Sequence, residues 1–140
     1  ELPGAADEGA GEDAELDALR ESFEASEWAA REPVDIEVPF ETVIGDRLVR
    51  GRMDAVFRSA DGQGYEVVDW KTGRPPSGDD ARFAAVQLAA YRLAWAELAG
   101  VPLDRVSAAF HYVRANLTVR PADLLDADGL TALLDAIPTA

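Results

Sequence analysis

Between Val34 and Gly73 apolar and polar residues alternate with a period of two in three successive runs, the pattern of β-strands. In the first, Val34 to Ile44, the residues Ile36, Val38 and Phe40 alternate with Asp35, Glu37 and Glu41. The second is Gly51 to Phe57 (G-R-M-D-A-V-F), and the third runs from Tyr65 to Lys71 and stops at Thr72-Gly73. Gly45-Asp46 is a two-residue turn signal with Gly first, which sets Ile44 opposite Arg47. A loop from Ser59 to Gly64 closes a second hairpin if Arg58 faces Tyr65. These registers gather Ile36, Val38, Phe40, Met53, Ala55, Phe57, Val68 and Trp70 on one face, the expected core. The opposite face carries Glu37, Asp54, Asp69 and Lys71, together with Arg50 and Arg52, which find cross-strand partners in Glu41 and its neighbours.

Around the strands the period changes. Glu15 to Arg31 reads as a helix with Leu16, Leu19, Phe23 and Trp28 near helical spacing, closed by Pro33. Residues 1–14 are rich in Gly, Ala and acids and are expected as a disordered or loop lead-in, leaving 15–140 as a single domain. Ala81 to Gly100 is a second helix, capped by Asp79 or Asp80 and ended by Gly100 and Pro102. Its apolar residues Phe83, Leu88, Leu93, Trp95 and Leu98 spread round the circumference, which predicts packing on more than one side. Arg105 to Arg114 is a fourth strand, Asn116 turns the chain into Leu117–Arg120, and a short leucine-rich helix lies within Pro121–Ile137. The order predicts an α/β fold whose sheet is mixed, because the fourth strand arrives by a helical crossover.

The polar face of the sheet is where chemistry concentrates. Asp69 and Lys71 are two apart, so they share a face about 6–7 Å apart along the strand, with the Trp70 carbonyl between them. Taken alone, D-x-K also describes a buried strand that ends in a surface Asp and Lys. The hairpin registers add more: Asp54 falls opposite Asp69, and Glu37 opposite Asp54. Three carboxylates side by side repel unless a cation lies among them, and carboxylates with a backbone oxygen suit a hard divalent ion and its water. Lys71 is the single lysine in a chain with twelve arginines, as though a compact ammonium were required at that point. His111, the only histidine, lies on a strand and is expected to be structural.

G-R-M-D, then V-V-D-W-K-T-G, then Gln87 and Tyr91 four apart on a helix, resembles the nuclease domain of the RecB family over roughly residues 16–120. These are PD-(D/E)XK nucleases found at the C-terminus of UvrD-like helicase–nucleases. The resemblance implies the restriction-endonuclease-like core, α-β-β-β-α-β, with a mixed central sheet flanked by helices. It implies Mg²⁺- or Mn²⁺-dependent hydrolysis of DNA phosphodiesters, with Asp54 and Asp69 holding metal beside the Trp70 carbonyl and Glu37 a weaker ligand. Lys71 would activate or orient the attacking water, and Gln87 and Tyr91 would support the site or touch DNA. The implied partners are DNA and a helicase motor, in the same native chain or in a partner subunit, and the implied setting is DNA repair or recombination. A degenerate module that guides DNA or braces a partner, or a metal-binding interaction domain, are the rival readings. Family members also carry a histidine ligand on a helix well upstream of the first strand; none precedes Pro33 here, so this chain alone is expected to be weak or inactive.

Composition narrows the setting. The absence of cysteine excludes disulfides, thiolate zinc and a Cys-ligated cluster. No P-loop or G-x-G-x-x-G is present for a nucleotide, no apolar run is long enough to span a bilayer, and no export signal is visible, so the cytoplasm is expected. The net charge of −14 sits badly with an independent DNA binder, whose affinity comes largely from Lys and Arg. The acidity is uneven: residues 1–32 hold 11 acids and 2 bases, the remainder 16 and 11. DNA is therefore expected to be held mainly by another domain.

Overall fold

A computed structural model describes residues 3–136, with side chains described from Gly11. Five strands form one sheet in the order β1 (Asp35–Ile44), β2 (Arg47–Arg58), β3 (Tyr65–Lys71), β4 (Val106–Tyr112), β5 (Leu117–Val119). Helix α1 (Pro3–Glu24) precedes them, α2 (Gly78–Ala99) connects β3 to β4, and α3 (Ala127–Asp135) follows β5. Neighbouring strands are antiparallel except β3 and β4, which run parallel because α2 carries the chain back across the sheet. The expected α-β-β-β-α-β succession is thus present, extended by one strand and one helix. Among the described residues no helix is long and apolar enough to cross a membrane.

Both faces of the sheet are buried, whereas the alternation predicted one. Val67 and Val68, adjacent on β3, are both fully buried, one under each layer. Below α2 lie Val38, Phe40, Met53, Val56, Val67 and Phe110 with Leu88 and Trp95. Below the α1 side lie Ala55, Phe57, Val68 and Ala109 with Trp28, Phe23 and Trp70. Each fully buried Val or Leu contributes about 1.5–3 kcal/mol, so the central strands anchor two cores at once.

The predicted registers hold: Ile44 pairs with Arg47, Arg58 with Tyr65, and Ala55 with Val68. The facing pattern does not. Met53 packs under α2 with Val38 and Phe40, while Ala55 and Phe57 pack under α1. Alternation therefore slips between Met53 and Val56, at the point where Glu37 on the partner strand takes a left-handed backbone with φ of 48°. Glu37 drops out of the ladder, and Ile36 beside it is 58% exposed.

Element ends differ in informative ways. Helix α1 already includes residues 3–14, expected as a lead-in loop; Ala, Glu and Leu sustain it despite its glycines. Residues 1–2, the rest of that lead-in, and 137–140, the end of the expected domain and helix segment, lie outside the described residues. α1 ends at Glu24 and not at Arg31, and the Ser26 hydroxyl donates to the Phe23 carbonyl at 2.6 Å, closing a turn that buries Trp28. α2 begins three residues early, after Ser77, so Asp79 and Asp80 lie in its first turn, where they favour the dipole without capping it. It ends as expected at Gly100 in the left-handed conformation, φ 67°. α2 does pack on two sides, against the sheet and against α3, but Phe83 and Leu98 face solvent.

Candidate active site

The ladder between β2 and β3 stops at Ala55–Val68, and beyond it the two strands part. Asp54 and Asp69 stand at this fork. Asp54 Oδ2 accepts the Trp70 N–H at 2.8 Å, replacing the backbone partner that β2 no longer supplies. On a strand the N–H and C=O of one residue point the same way, so the Trp70 carbonyl is directed toward β2 as well. The next carbonyl, of Lys71, turns the other way and accepts the Val113 N–H at 2.9 Å. The chain thus brings two carboxylates and one backbone oxygen to the same gap.

Asp69 is 8% exposed. Burial, reinforced by the Asp54 carboxyl hydrogen-bonded to it, raises its pKa from 3.8 to about 6, against the opposing pull of Lys71. Lys71 Nζ lies 3.0 Å from Asp69 Oδ2. Partial burial pulls the lysine down, but its hydrogen bond to Asp69 and that carboxylate's charge outweigh this and hold it above its ordinary value. Lys71 is therefore an ammonium at neutral pH. Tyr91 is half-buried on α2, and its phenol is raised by burial and then by the Asp69 charge. Its ring stands edge-on to Phe40, 5.5 Å between centroids.

Glu37, Asp54, Asp69, Trp70, Lys71, Gln87 and Tyr91 were singled out by the sequence, and they do not all converge. Asp54, Asp69 and Lys71 do, with the Trp70 backbone between them and Tyr91 close enough to sense their charge. Glu37 is exposed on its kinked stretch, and no group of three acids or histidines suited to a metal occurs among the described residues. Gln87, one turn before Tyr91, is exposed. His111 is buried on the other face, its Nδ1 2.9 Å from the Thr118 hydroxyl, which also accepts the Trp28 indole N–H at 3.0 Å. Burial lowers its pKa, with Glu27 opposing, and keeps it neutral; it is a structural residue. Arg50 meets Glu41 at 2.8 Å, the cross-strand pairing expected from the registers.

Three contributors were missed. Tyr112 is the β4 neighbour of Lys71. Arg114 donates to the Thr72 carbonyl at 2.9 Å and fixes the turn after Lys71. Phe40 supports Tyr91. All three are non-local, and Tyr112 and Arg114 reach the site only through the parallel crossover, whose register no short turn announces.

A family model for the PD-(D/E)XK nuclease superfamily matches residues 4–136, nearly the whole chain. The chain belongs to the PD-(D/E)XK nuclease superfamily. Asp54 lies on β2 and Asp69-Trp70-Lys71 ends β3, and both lie within the matched residues. Among solved structures, one described as "Crystal structure of SSO0001" is similar, with a TM-score of 0.48 and 20% identity over 96% of this chain. The chain spans 59% of the length of that structure's chain. No curated protein matches the sequence.

The donor set suits a small hard cation. Mg²⁺ and Mn²⁺ are commonly held by one or two carboxylates and waters without a complete protein cage. Two carboxylates this close repel one another when ionised, which is part of what raises the Asp69 pKa, and a divalent charge between them would relieve that repulsion.

Proposed function

We propose that this chain is a divalent-metal-dependent deoxyribonuclease module that hydrolyses DNA phosphodiesters within a helicase–nuclease acting in DNA repair or recombination. The observation that carries the reading is the fork of β2 and β3, where Asp54 and Asp69 face one another and Lys71 stands 3.0 Å from Asp69. Asp54, Asp69 and the Trp70 carbonyl would hold Mg²⁺ or Mn²⁺, with Glu37, exposed at a left-handed backbone position, a weaker candidate. A bound ion supplies Lewis acidity at a phosphoryl oxygen and lowers the pKa of a bound water. Lys71, protonated, hydrogen-bonds the attacking water and offsets negative charge growing on the phosphate. Its raised pKa favours this over a role as general base. Tyr91 and Gln87 line the α2 side, where the DNA strand would pass.

The helicase partner rests on the RecB-like motifs and on charge. A module of net charge −14 gains little affinity from its own surface, so a motor domain or subunit would deliver the DNA. The rival reading, a weak or inactive nuclease fold that guides DNA or braces a partner, draws on the absence of a third clustered ligand among the described residues. A cleavage assay on single- and double-stranded DNA with Mg²⁺, Mn²⁺ and EDTA separates them, using Asp69→Ala as the control. Metal-dependent cutting that Asp69→Ala abolishes supports the nuclease; cutting indifferent to Asp69, or none even with the motor attached, refutes it.

A further inference from the structure

We infer that Gly51 and Phe40 form a platform that positions Tyr91 over the carboxylate fork, an extension that rests on the nuclease reading above. Phe40 and Gly51 are direct partners across the β1–β2 ladder. Glycine leaves a hollow there, and the Phe40 ring fills it: a Cβ on residue 51 would lie 2.8 Å from Phe40 Cε1 and Cζ. The same Cβ would lie 3.4 Å from Tyr91 Cε1, so one hollow accommodates both rings. Tyr91 stands edge-on to Phe40 at an interplanar angle of 74°, an arrangement that aromatic quadrupoles favour. Gly51 has no left-handed backbone to explain its identity, so the requirement is space. Phe40 is 6% exposed, and its direction is fixed by β1 beyond the kink at Glu37, which turns Val38 and Phe40 toward α2.

The consequence is geometric. Tyr91 has a wall on its strand side, where Phe40 and the Gly51 hollow meet its ring, and its phenol lies near enough to Asp69, Lys71 and Asp54 for their charges to act on it. A methyl at residue 51 pushes out the far end of the Phe40 ring, and the ring displaces Tyr91. Phe40→Leu removes the edge-on contact and lets the phenol swing. Neither residue touches substrate or metal; both act through Tyr91.

The chain contains three tyrosines, Tyr65, Tyr91 and Tyr112, so 3-fluorotyrosine labelling gives three ¹⁹F resonances, assigned by single Tyr→Phe changes. Titrated Mn²⁺ broadens resonances near it. In the unsubstituted chain Tyr91 and Tyr112 should broaden strongly and Tyr65, at the far end of β3, least. In Gly51→Ala and in Phe40→Leu the Tyr91 broadening should fall severalfold while that of Tyr112 persists, which global unfolding would not produce. Cleavage by the chain joined to its motor gives a second readout: Phe40→Leu added to Tyr91→Ala should cost nothing further, since coupled residues are non-additive. Unchanged Tyr91 broadening in both variants overturns the platform while leaving the metal site standing. Absence of Mn²⁺ broadening at every tyrosine, in unsubstituted chain and Asp69→Ala alike, overturns the metal-site reading and the platform with it.

Discussion

Replacing Asp69 by Asn should make the metal-free protein more stable while removing its chemistry. Burial, with Asp54 beside it, lifts the Asp69 pKa from 3.8 to about 6. A gap of about two units between unfolded and folded states corresponds to about 3 kcal/mol. The direction follows from proton counting: between about pH 4 and pH 6 the folded chain holds a proton that the unfolded chain has released, so stability falls as pH rises through that window. The stabilisation is complete below about pH 4 and gone above about pH 7. Asparagine keeps the shape, still accepts from Lys71 and donates to Asp54, and never pays for ionisation. At pH 8 without metal, Asp69→Asn should therefore gain roughly 2–3 kcal/mol, or a rise of several degrees in Tm. At pH 4 the two proteins should converge. Urea unfolding followed by tryptophan fluorescence, using Trp28, Trp70 and Trp95, measures this at each pH. Taking the difference between variant and parent removes the pH dependence of the many surface acids. Mg²⁺ should then reverse the order, because a ligand that binds only the folded parent stabilises it by mass action. An Asn variant no more stable than the parent at pH 8, or a gap of equal size at pH 4 and pH 8, would refute the reasoning.

Other outcomes follow from the same geometry. Lys71→Ala should lower cleavage by about 10²–10³-fold, the usual loss when one donor to developing charge is removed, while divalent affinity, read by calorimetry, stays or improves. Lys71→Arg should retain measurable activity, because the role is that of a cation; an Arg variant as inactive as Ala points back to a base. Glu66 is 6% exposed and accepts from Arg120 at 2.8 Å with Arg31 3.5 Å away. Glu66→Ala should cost about 1.5–3 kcal/mol by removing the buried one of the two carboxylates that Arg31 and Arg120 share, Glu27 remaining, visible as a lower urea midpoint at unchanged Mn²⁺ affinity. The chain alone should cut DNA slowly, because its net charge of −14 repels the substrate, and attaching a motor domain should speed cutting; brisk Mg²⁺-dependent cutting by the isolated chain, abolished by Asp69→Ala, would show that two carboxylates suffice.

The sequence by itself determined what is local. The two hairpin registers followed from a Gly-Asp turn and a six-residue loop, since short connections leave a strand few ways to return. Those registers brought Asp54 to Asp69, and the period of two put Lys71 beside it. The end of α2 was legible in Gly100, whose left-handed backbone suits few other residues. What only the tertiary structure decided is non-local or cooperative. Alternation predicted a one-sided sheet, but β3 is covered twice, because α1 and α2 come to opposite faces and adjacent Val67 and Val68 both vanish from solvent. The kink at Glu37 could not be read from a glutamate in an alternating run, and it removes that carboxylate from the row. Tyr112 and Arg114 reach the site across a parallel pairing whose partners are 41 or more positions apart in the chain. The proximity of Asp54, Asp69 and Lys71 was therefore visible in the sequence, while the residues that hold them in place were fixed by packing between distant segments.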